Sequence, residues 1–147
     1  MKRRWHLIGI LTVILGLAAC QKFYYIEHEL HGIWQVTSIT NKSTGETSNP
    51  QGQLYYLFQR SMVKLGYKHL NIPEAMEYYL SNFEFVTSDS IGMGGFVFGS
   101  IKEEEKVPVE NLHKFGIYQD YTIFGVKHNK DELELSSEKS LIVLRKY

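Results

Sequence analysis

Apolar and polar positions alternate in short runs along most of the chain, and the runs change character at identifiable punctuation. The stretch 33–40 is mostly β-branched or aromatic and predicts a strand, whereas 41–52 (NKSTGETSNPQG) collects Asn, Ser, Thr, Gly and Pro and predicts a loop. QLYYLFQR (53–60) and SMVKLGY (61–67) predict two strands or one bent strand, and Pro73 opens a short predicted helix through Tyr79. NFEFVT (82–87) alternates cleanly, with Phe83 and Phe85 on one face and Glu84 on the other. After a turn at 88–90, the segment 91–101 (IGMGGFVFGSI) is extended but rich in glycine, which predicts bulges or sharp coiling. A charged run at 102–106 and a turn or two of helix at 108–114 follow. The end of the chain reads as three alternating strands, 121–127, 132–136 and 141–146.

Tight turns between about eight short strands, with no long helical period, exclude a parallel βαβ sheet and point to an all-β antiparallel meander. Eight strands close into an up-and-down barrel whose interior is filled by side chains or holds one small ligand. Closure also removes edges that strands as aromatic as QLYYLF would otherwise expose.

The first nineteen residues follow a different pattern. KRRWH (2–6) precedes thirteen residues without charge, LIGILTVILGLAA (7–19), which predicts a secretion signal over 1–19. The apolar run is shorter than the roughly 20 residues that cross a bilayer as a helix. It ends in Leu17-Ala18-Ala19-Cys20, which resembles the lipobox of bacterial lipoproteins. The resemblance implies cleavage before Cys20, thioether lipidation of Cys20 and acylation, palmitate included, of the new amino terminus. Several acyl chains on one residue make a stable membrane anchor, since each buried methylene contributes about 0.8 kcal/mol. Residues 20–30 then form a lipidated tether, and 31–147 the folded domain. Gln21 stands where Asp would act as an inner-membrane retention signal, so the outer membrane is expected, with the periplasmic or surface face left open.

Charge and composition narrow the function. Beyond residue 19 there are 13 basic and 16 acidic side chains, a balance that disfavours nucleic acid as a partner. Cys20 is the only cysteine, so no intramolecular disulfide and no Cys-based zinc site is expected. His28-Glu29-Leu30-His31 lacks the H-E-x-x-H spacing, and Gly92-Met93-Gly94-Gly95 reaches Val97 where a dinucleotide fingerprint needs glycine. Glu103, Glu104 and Glu105 are contiguous, so their side chains diverge. No set of residues names a reaction, and no metal, cofactor or enzymatic activity is expected.

Gly32-Ile33-Trp34 at the first strand, together with Arg145 in the last, resembles the lipocalin signature, in which a basic residue packs across the tryptophan. YYLFQ, FEF and LELSSEKSLIVLRKY resemble the lipocalin-like (calycin-type) lipoproteins of gut Gram-negative bacteria. That likeness implies a lipocalin-like barrel that binds a small, largely apolar ligand. Alternation makes Tyr56, Phe58, Phe83, Phe85 and Phe124 the candidate ligand contacts. Tyr56 shares a strand face with Phe58, as does Phe83 with Phe85, while the direction of Phe124 is open. The alternative is a filled barrel working through its surface as an accessory, inhibitory or structural lipoprotein with an envelope protein as partner.

Overall fold

A computed structural model describes residues 28–67, 78–99 and 105–147. The leader, Cys20 and most of the tether therefore lie outside the described residues, as do residues 73–77 of the helix predicted over 73–79. The chain divides into Met1–Leu30 and His31–Tyr147, and the strands all lie in the second unit.

These are β1 (Gly32–Asn41), β2 (Thr47–Ser48), β3 (Leu54–Gln59), β4 (Met62–Tyr67), β5 (Tyr79–Thr87), β6 (Ser90–Gly94), β7 (Val97–Phe98), β8 (Tyr121–His128), β9 (Glu132–Ser136) and β10 (Ser140–Lys146). The neighbour order is β10-β9-β8-β6-β5-β4-β3-β1, with β2 and β7 as short additions on β1 and β5. The last strand pairs antiparallel with the first, from Trp34 opposite Lys146 to Asn41 opposite Ser140. Eight antiparallel strands thus close into an up-and-down barrel, as the alternation predicts. Closure uses only residues of His31–Tyr147, so this unit contains its own core and its own ladder.

Period-two alternation sets the core. Leu54, Tyr56 and Phe58 of β3, Val63 and Leu65 of β4, Phe124 of β8, Leu133 and Leu135 of β9, and Ile142 and Leu144 of β10 are all buried. In β1 the register shifts between Val36 and Ser38, and the bulge lets both Val36 and Ile39 face inward across an odd spacing.

Two boundaries differ from the sequence reading. Tyr79 opens β5 rather than closing a helix, because it pairs with Leu65 on one side and Phe98 on the other and is buried there. The extended stretch after residue 90 breaks into β6 and β7 at Gly95, whose φ of 63° lies in the left-handed region that glycine enters freely. The helical turns expected at 108–114 do form, as α1 (Val109–Leu112) and a 3₁₀ turn at His113–Phe115.

Candidate functional site

The segment around α1 plugs one end of the barrel. It presents Leu112, Phe115 and Ile117, all fully buried. The Phe115 ring meets those of Tyr56, Tyr67 and Tyr79 edge-on, with centroids 6.3, 6.0 and 5.9 Å away. Two hydrogen bonds fasten the plug to the wall. The Tyr56 hydroxyl donates to the Phe115 carbonyl at 2.7 Å, and the Ser140 hydroxyl donates to the Gly116 carbonyl at 2.7 Å. Burial pushes the Tyr56 phenol pKa upward, so the group stays a neutral donor.

The five candidate ligand contacts sit along the same interior. Tyr56 and Phe124 are 0% exposed, Phe58 1% and Phe83 5%, while Phe85 is half-buried. Tyr56 stacks on Phe58 at 6.0 Å, Phe58 meets Phe83 edge-on at 5.3 Å, and Phe83 meets Phe85 at 5.9 Å. With Phe115 these rings form a continuous aromatic column from the plug toward the opposite end. Their faces are taken by one another. The direction of Phe124, open in the sequence, is inward, because its β8 neighbours Tyr121 and Ile123 are half-exposed on the other face.

The signature residues need one correction. Trp34 is buried near the start of β1, but the cation over its ring is Lys146, whose Nζ lies 5.0 Å from the ring centroid. Arg145 pairs with Gln35 on the opposite face of the sheet. Residues directly opposite each other share a face, and Lys146 is the one opposite Trp34. Gly32 opens β1 opposite Phe58, with φ of 130°.

Two depressions are lined by described residues. One, of about 450 Å³, runs over the outer faces of β1, β3 and β4, where Ile33, Gln35, Tyr55, Leu57 and Lys64 project. Its rim is fixed by Gln35, whose side-chain amide donates to the Gly52 carbonyl at 2.8 Å. The outer part of the Tyr55 ring and its hydroxyl lie over Gly66 of the neighbouring strand. A Cβ at that position would come within 2.6 Å of the tyrosine oxygen, so the missing side chain is what lets the ring settle there. Burial, then the neighbouring Tyr78, raises the Tyr55 phenol pKa. The second depression, of about 460 Å³, lies beside β2 between Ile39, Asn41, Glu46 and Tyr118 and is more polar.

Alternation points Tyr55, Leu57 and Lys64 outward, yet it does not distinguish a groove from a solvated sheet face. Gly66 opposite Tyr55 is the one sequence signal of an aromatic platform. Among the described residues no group of three or more His, Cys, Asp or Glu side chains gathers. Gly92 lies beneath the Tyr121 ring, and the Tyr121 hydroxyl donates to Glu84 at 2.8 Å, which gives that glycine a packing role.

A closed barrel of eight antiparallel strands with an indole covered by a basic residue at one end defines a lipocalin-class fold. The sequence profile described as a lipocalin-like domain matches residues 14–147, and the chain belongs to this family. No curated protein matches the chain. It is similar to the crystal structure of a lipocalin-like protein from Bacteroides uniformis, with a TM-score of 0.59 and 17% identity over 81% of this chain and 99% of that one. A second solved protein, from Bacteroides eggerthii and of uncharacterized function, gives a TM-score of 0.59 and 17% identity over 80% and 99%. At that identity the likeness speaks to the fold.

Proposed function

We propose that this chain is a lipid-anchored cell-envelope protein, held in the outer membrane through Cys20, whose filled barrel is a scaffold and whose outer face does the binding. The observation that carries the reading is the aromatic column. Tyr56, Phe58 and Phe115 have essentially no accessible surface, and the Tyr56 hydroxyl is already spent on the plug. A ligand entering along the axis would have to displace packed rings, at a cost of several kcal/mol for each. The role is binding rather than catalysis, in keeping with membership of the lipocalin-like family.

Supporting the anchor are the lipobox-like Leu17-Ala18-Ala19-Cys20, the charge-flanked apolar run before it and the absence of any other cysteine. Detergent-phase partitioning of the full chain against Cys20→Ala tests this half: the wild type is expected in the detergent phase and the variant in the aqueous phase. Equal partitioning would refute the anchor. The scaffold half is tested by replacing interior rings, as developed in the Discussion.

A further inference from the structure

The outer groove on β1, β3 and β4 differs from ordinary solvated sheet surface in where it puts charge. Ile33 and Leu57 give it an apolar floor, and the Tyr55 ring, over Gly66, forms a wall. Lys64 stands in β4 directly between Leu57 of β3 and Leu80 of β5, so its cross-strand neighbours are both aliphatic. Its ammonium lies 3.9 Å over the Tyr78 ring. Ion pairs among the described residues join Lys106 to Asp120 and Lys127 to Glu134, and Lys64 belongs to neither. A cation held over a ring and flanked by aliphatic side chains is less screened than one in open water, so an anion placed beside it gains more.

We propose that this groove binds a small amphipathic anion, its single carboxylate or sulfonate head on Lys64 and its flat apolar body against Ile33, Tyr55 and Leu57. This rests on the reading that the outer face does the binding. The volume of about 450 Å³ suits one such molecule. One cation selects a singly charged head over a polyphosphate, which needs several donors. The Tyr55 phenol remains a neutral donor at the groove wall, because its pKa is raised.

The test uses two probes that share the same rings, 8-anilinonaphthalene-1-sulfonate and its uncharged counterpart N-phenyl-1-naphthylamine. Each is titrated by fluorescence into the chain from residue 20 with Cys20→Ser, which keeps the whole of the self-closing His31–Tyr147 unit. The sulfonate is expected to bind about tenfold tighter than the neutral probe, the size of one charge-assisted hydrogen bond. Lys64→Gln removes that preference, Lys64→Arg retains it, and Leu57→Glu weakens both probes. Circular dichroism confirms that each variant is folded. Absence of sulfonate binding, or equal binding by wild type and Lys64→Gln, overturns the proposal while leaving the filled scaffold intact. If affinity instead follows Phe58→Leu and ignores Lys64→Gln, the probe is inside the barrel, and the proposal and the outer-face reading both fall.

Discussion

Truncating Phe58 separates a packed column from a ligand-lined mouth. Its ring is 1% exposed, stacked on Tyr56 at 6.0 Å and edge-on to Phe83 at 5.3 Å, so Phe58→Ala removes a fully buried ring and leaves a cavity between two others. Such a change costs about 3–5 kcal/mol. For a domain of this size the unfolding entropy is about 0.25 kcal/mol/K, so the melting temperature should fall by roughly 12–20 °C. Phe58→Leu, which keeps most of the volume, should cost under about 1.5 kcal/mol and fall by no more than roughly 6 °C. Both are measurable by thermal or urea unfolding followed through Trp34, the only tryptophan in the chain from residue 20. The urea slope should stay constant while the midpoint moves, because the fold is unchanged. If Phe58→Ala melts within about 3 °C of wild type, the ring is not packed, and the column lines an open cup.

Four further outcomes follow from the same geometry. Tyr56→Phe leaves the buried Phe115 carbonyl without its donor and should cost about 1–3 kcal/mol by urea unfolding. The Tyr56 phenol ionises near pH 10 in the unfolded chain and higher in the folded one, so the unfolded state binds fewer protons above pH 10. Stability contributed by Tyr56 is therefore full below pH 10 and declines above it, by up to about 1.4 kcal/mol per pH unit, and Tyr56→Phe should flatten that alkaline limb of the denaturation curve. Lys146→Met should destabilise by about 0.5–2 kcal/mol and red-shift Trp34 emission, whereas Arg145→Met should do neither. Gly94→Ala should cost about 1–3 kcal/mol because its Cβ would overlap the Asp120 carbonyl, while Gly125→Ala, whose Cβ meets only the Ser136 carbonyl at 3.6 Å, should fold normally.

Most of the wall was legible in the chain because strand alternation is a local signal. Phe83 and Phe85 flanking Glu84, or Leu133 and Leu135 flanking Glu134, declare their inward face without reference to anything distant. Residues whose roles depend on register were not legible. Arg145 and Lys146 are adjacent cations, and only the pairing of β10 with β1 decides which one lies opposite Trp34. Phe124 had the same ambiguity, with Tyr121 and Ile123 on its other face as equally apolar competitors. The plug was visible as a short helix, but its insertion into the barrel depends on Phe115 meeting three tyrosines from three strands. Long-range contacts of this kind leave no periodic trace. The outer groove went unread for a related reason, since Lys64 looks like any polar residue alternating with Val63 and Leu65 until Leu57, Leu80 and Tyr78 are brought around it.

A filled barrel that binds on its outside holds its interior rings in place when a ligand is present. A crystal structure of the chain from residue 20 grown with 8-anilinonaphthalene-1-sulfonate addresses this most directly. The sulfonate is expected beside Lys64 and the rings against Leu57 and Tyr55, with Tyr56, Phe58 and Phe115 in the positions they hold here. Probe density along the axis between Phe58 and Phe83, with the α1 plug displaced, would contradict it.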